Sequence, residues 1–134
     1  MSELAELERK VKEFIDKVSS DFGVPAPKVQ ILPHEEMSKI YTETAGWYDS
    51  TEERLVLNAD CISLGTVLHE YTHHLQFLRS GRDRSTAFPL RELSKLHCER
   101  SFEREAKGFA LVYEGFYRDT WKKIVGVERG ALPR

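Results

Sequence analysis

The spacing of hydrophobic positions changes several times along the chain, and each change marks an element. Leu4, Leu7, Val11, Phe14, Ile15 and Val18 recur at steps of three and four, which is one apolar helix face. The predicted helix runs over about residues 2–20, with Ser2 as N-cap and Glu3 and Glu6 in its first turn. "DFGVPAP" breaks it, and "KVQIL" (28–32) reads as a short β-branched strand ended by Pro33. Residues 45–48 and 54–58 read as two strands joined by a polar turn at 49–53. The outer strand of that pair would form an exposed sheet edge.

A second helix is predicted over 64–78, with Ser63 as N-cap, and "RSGRDRSTAFP" follows as a loop. Helical spacing resumes at Leu90 or Ser94. Phe102, Ala106, Phe109, Ala110, Tyr113, Phe116 and Tyr117 form a broad apolar stripe that ends near Gly126. The expectation is one α+β domain over 1–134, with a small antiparallel or mixed sheet, an N-terminal helix, two further helices and a short tail at 127–134.

Composition narrows the function classes. With 134 residues the chain has room for one core. Twenty basic residues against 22 acidic ones give a net charge of −2, so nothing draws it toward nucleic acid or an anionic membrane. No apolar run approaches a bilayer span, and the N-terminus carries no secretory h-region. A cytoplasmic protein is expected. Cys61 and Cys98 are too few for a disulfide framework and are expected to be buried, reduced thiols.

The chemistry is concentrated in "TVLHEYTHHLQFL", where three histidines and a glutamate interrupt an apolar run. His69-Glu70-Tyr71-Thr72-His73 is H-E-x-x-H. On a helix, positions i and i+4 share a face, so two imidazoles can converge on one zinc ion. Glu70, next to the first ligand, can reach a water held by that metal, take its proton and pass it to a leaving amine. For 5 His in 134 residues, a chance match is expected in about 2% of such chains, so the helical context has to carry part of the argument. A catalytic zinc needs a third protein ligand, and "CERSFEREAKGFA" offers Glu99 and Glu103 near the apolar stripe, with Glu105 on the opposite flank. His74 lies about 100° round the helix from His73 and reads as a rim residue. His97 could line the cleft or be solvated. Tyr113 could donate to an oxyanion or be a core tyrosine. His34 reads as a loop residue.

H-E-x-x-H followed on a later helix by E-x-x-A-x-x-F-A resembles the gluzincin metallopeptidases. "FEREAKGFA" is similar to the glutamate helix of the prenyl-protein endopeptidase and ImmA/IrrE-like families, and the small size resembles the archaeal minigluzincins. The resemblance covers roughly residues 45–116. It implies zinc as cofactor, His69, His73 and Glu103 as ligands, and Glu70 as the catalytic base. It also implies that a peptide or unfolded protein segment is bound as an added strand on a sheet edge above the zinc helix, either 54–58 or its partner 45–48. Those families often place Asp or Asn directly after the alanine, to support a ligand histidine. Here Lys107 stands there and cannot accept that hydrogen bond. If Glu99 were the ligand, Glu103 could take the supporting role.

The resemblance leaves two rivals to a general peptidase. One is a latent or structural zinc protein, with "VERGALPR" obstructing the cleft, as the minigluzincins are known for latency. The other is a regulatory protease with a single protein partner. In any of these the site should lose zinc as its histidines protonate at low pH.

Overall fold

A computed structural model describes residues 2–40 and 45–129. Helix α1 (Glu3–Phe22) starts as the sequence predicts, with the Ser2 side chain accepting from Ala5 N. It runs two residues past the predicted end and closes on Gly23, which takes φ 65°, a conformation that costs a glycine little. Its inner face buries Val11, Phe14, Ile15 and Val18, each contributing roughly 1.5–3 kcal/mol of apolar burial.

Strand β1 (Lys28–Leu32) leads through Pro33 into a short helix α2 (His34–Ile40) that the apolar pattern did not announce. His34 therefore opens a helix instead of sitting in a loop, and Asn58 Nδ2 donates to its Nδ1 at 3.1 Å. Strands β2 (Gly46–Asp49) and β3 (Arg54–Asn58) form the expected hairpin, with the Asp49 carboxylate accepting from Thr51 N and Glu52 N in the turn. The sheet order is β1-β3-β2. β1 runs parallel to β3 and β2 antiparallel to it, so the sheet is mixed and the fold is α+β. β3 is central and buried, and β2 and β1 are the edges. Ile31 N of β1 donates to the Glu8 carboxylate of α1 at 2.9 Å.

Helix α3 (Leu64–Arg79) begins on Ser63, whose hydroxyl accepts from Thr66 N. It packs against β2, β3 and the last helix. A four-residue helix α4 (Arg84–Ala87) and two 3-10 turns, Leu90–Ser94 and His97–Glu99, follow before helix α5 (Ser101–Ile124). The predicted start of this last helix at 90 or 94 is thus corrected. Arg100 has an extended backbone, and the buried Glu92 carboxylate accepts from Ser101 N at 2.8 Å, supplying a cap that Arg100 does not.

The inner face of α5 consists of Glu103, Ala106, Ala110, Tyr117 and Trp121. Phe116, placed in the apolar stripe by its period, is 72% exposed. Cys61 is buried, but Cys98 is exposed, against expectation. Among the described residues no helix is long and apolar enough to cross a membrane. The end of the described chain docks at the start of α3: Glu128 accepts from Leu64 N, and Arg129 N donates to Ile62 O.

Candidate metal centre

α3 and α5 pack side by side, and their facing surfaces bring three charged or ionisable side chains together. His69 Nε2 lies 2.9 Å from Glu103 Oε1, and His73 Nε2 lies 2.8 Å from the same oxygen. One ligand atom from each residue falls within 4.8 Å of the other two. The four-residue step on α3 puts both imidazoles on one face. Glu103 reaches them because it shares a heading with Ala110 and Tyr117 at seven-residue steps, at the centre of the buried face of α5.

Comparison with protein-family models, curated proteins and solved structures returns no match. The assignment of a role to this cluster therefore rests on its chemistry.

Two imidazole nitrogens and a carboxylate oxygen form a donor set that zinc takes in catalytic sites. With metal–ligand bonds of about 2.0–2.2 Å, tetrahedral ligands stand roughly 3.3 Å apart. The two nitrogen–oxygen distances need to open by about half an ångström, a small adjustment for three side chains. The residues fit the metal. His69 Nδ1 is buried without a hydrogen-bond partner among the described residues.

The electrostatics are those of a tight cluster. Burial alone would lower the pKa of His73, but the hydrogen bond to Glu103 and the charges of Glu70 and Glu103 overcome it and raise the pKa to about 9. Burial likewise opposes ionisation of Glu103. The hydrogen bonds from His69 and His73, with the charges of His73 and His97, prevail and hold its carboxyl well below the usual range. A third imidazole contributes here: His97 Nε2 lies 2.8 Å from Glu103 Oε2. It stands on the 3-10 turn before α5 and is largely exposed.

Glu70 sits one position round α3 from His69, toward β2. A Cβ added at Gly46 would meet Glu70 Cγ at 3.0 Å, so the β2 backbone passes directly beside this carboxylate. Of the two strands considered for the substrate edge, β3 is central and only β2 qualifies.

The remaining candidates lie elsewhere. Glu99 is exposed on the 97–99 turn, before α5 begins, so the structure does not place it with His69 and His73 as the alternative ligand. His74 is no rim residue. It is fully buried, with Nε2–H donating to Pro25 O at 2.8 Å and Nδ1 accepting from Tyr48 Oη at 2.9 Å. Tyr113 packs against Phe109 and meets Phe22 edge-on, about 15 Å along α5 from Glu103 at 1.5 Å per residue, and takes no part in the cluster. Val127 to Arg129 of the tail are held at the N-terminal end of α3 and do not cover the cluster; residues 130–134 lie outside the described residues.

Sequence reasoning missed Phe88, whose ring centroid lies 5.7 Å from that of His73, and Gln76, which meets His73 directly. No signal announced Phe88. The i,i+3 spacing from His73 was a signal for Gln76.

Proposed function

We propose that the chain is a zinc-dependent peptidase with a zincin-like arrangement of two helices and a sheet edge. The observation that carries this reading is the convergence of His69 and His73 on one oxygen of Glu103, 30 residues further along the chain, with Glu70 beside them. His69, His73 and Glu103 hold zinc. When bound there, zinc supplies the Lewis acidity that makes water a usable nucleophile near neutral pH. The Glu70 carboxylate takes a proton from the attacking water and delivers it to the departing amine nitrogen. The substrate is a peptide or unfolded segment laid along β2, where backbone pairing demands little of its side chains.

The test is zinc stoichiometry on purified protein beside casein hydrolysis. The expected result is one zinc per chain, kept in Glu70→Gln with cleavage lost, weakened in His73→Ala and Glu103→Ala, and unchanged in Glu99→Ala. Absence of zinc after reconstitution would overturn the reading. A latent zinc protein is favoured by a different observation: Phe88 packs on His73 and His97 closes on Glu103, so the chain covers its own site. Under that reading zinc binds and casein survives, and His97→Ala raises cleavage.

A further inference from the structure

His73 and His69 differ in what holds their far ring nitrogens. Among the described residues His69 Nδ1 has no hydrogen-bond partner. His73 Nδ1 lies 2.7 Å from Gln76 Oε1. Gln76 is 3% exposed, and its amide has only one possible orientation. Its Nε2 donates to Phe102 O at 2.9 Å and to Glu105 Oε1 at 2.7 Å. Both are pure acceptors, so both amide hydrogens are committed and the amide oxygen must face His73. Glu105 is in turn gripped by Arg79, through Nη2 to Oε1 at 2.8 Å and Nη1 to Oε2 at 3.2 Å. The chain Arg79–Glu105–Gln76–His73 crosses from α3 to α5 and back.

We propose that Gln76, held by Glu105 and Arg79, is a positioning residue that fixes His73 with its proton on Nδ1 and turns Nε2 toward Glu103. This deepens the zinc reading and rests on it only for the consequence. A fixed donor at Nδ1 leaves Nε2 as the nitrogen that meets a metal, and an acceptor behind a ligand histidine makes it a better ligand. A glutamine is also neutral, so it orients the ring without adding a second negative charge beside Glu103. Among the described residues His73 is held at both ring nitrogens and His69 at Nε2 alone. The positioning geometry spans both helices, so it forms only when α3 and α5 are docked.

The experiment uses the full chain with Q76A, Q76E, E105Q and the pair Q76E/E105Q, and reads two quantities. The first is the Nδ1–H proton of His73, followed by nitrogen-edited NMR on zinc-free protein. Its burial predicts a slowly exchanging signal in the wild type that is lost in Q76A while the backbone amide spectrum persists. The second is zinc affinity by competition with a chromophoric chelator. Q76A should bind about 10–100-fold more weakly. Q76E should lose affinity, because it faces Glu105 and Phe102 O without a hydrogen to give. The paired exchange restores the donor–acceptor match between positions 76 and 105, though not the bond to Phe102 O, and should recover part of the affinity lost in Q76E, a rescue that a merely space-filling Gln76 would not give. A Q76A protein that keeps the Nδ1–H signal and binds zinc within twofold of wild type overturns the proposal. A wild type that shows the signal, loses it in Q76A, yet takes up no zinc supports the positioning role and defeats the metal reading alone.

Discussion

His73 and His74 are neighbours in sequence, equally buried in practice, and opposite in every physical respect. His73 faces α5, stands against carboxylates and is pulled toward its charged form. His74 faces the sheet, is hydrogen-bonded to Tyr48 and Pro25, and burial lowers its pKa against the opposing pull of the Pro25 carbonyl. One step of about 100° on α3 divides a cluster of ionisable groups from a core in which both ring nitrogens of His74 are hydrogen-bonded. The lesson is that the helix carries two designs. One face gathers ionisable groups, which we propose hold a metal, and the other serves the fold, so substitutions on the two should fail differently.

The largest separation is expected between activity and stability. Glu70→Gln should lower peptide hydrolysis by about 10²–10⁴-fold with zinc content and thermal midpoint unchanged, measured side by side on one preparation. An equal loss in a His74 variant that remains fully folded would break the division between the faces. Next, His74→Ala should cost about 3 kcal/mol, because it leaves the Tyr48 hydroxyl and Pro25 carbonyl buried without partners. That is a drop in Tm on the order of 10 °C, readable by calorimetry on zinc-free protein. His73→Ala should lose zinc with a much smaller change in the same measurement.

The pH dependence of metal-free stability sharpens the contrast, since the two histidines act with opposite sign. The His73 pKa is raised on folding, so its contribution is full below about 6.5, its ordinary value, and is lost as pH rises through about 9. Glu103 is depressed, so its contribution is present above its ordinary value and fades as pH falls below it. His74 is lowered, so it favours the fold above pH 6.5 and withdraws that support as pH falls through its folded value. Urea unfolding from pH 5 to 10 should therefore show a loss at the alkaline end that disappears in His73→Ala. Zinc uptake must displace the His73 proton, so its affinity should keep rising with pH to about 9, and calorimetry in buffers of different ionisation enthalpy should show proton release at pH 7.5. The smallest effect is expected at Gly46→Ala, where the new methyl meets Glu70 Cγ and Leu57 Cδ2 at 3.0 and 3.1 Å. It should cost about 1 kcal/mol of stability and displace the base enough to slow turnover several-fold.

Much of this was legible in the sequence, and the failures have physical causes. α1, β1, the hairpin and α3 follow from period and caps, because each buries a regular stripe under its own local signals. The placement of α5 failed twice. Its start was read too early because 90–100 has helical spacing of leucines that the structure leaves exposed, and because Glu92 caps from a distance that sequence spacing does not reveal. Its inner face was read off-centre because Phe102, Phe109 and Phe116 pull the apparent stripe toward their flank, while the packed centre uses small Ala106 and Ala110 so that α3 can approach. That close approach is what puts Glu103 inside. The residues H-E-x-x-H and Glu103 were legible from spacing and resemblance. His74 was misread because its partners, Tyr48 and Pro25, come from elements that only the fold brings near.

The brevity of β2 has its own consequence for how such a protein could work. A strand of four residues turns at most two of them outward, so an added peptide can gain only a few backbone hydrogen bonds, each worth a net ~0.5–1.5 kcal/mol. That falls within the range that association itself costs, about 4–15 kcal/mol. A segment held this way is gripped weakly and released fast. If a peptide pairs there as we propose, the shortness of the edge among the described residues would favour exchange of many unrelated segments over long residence of one.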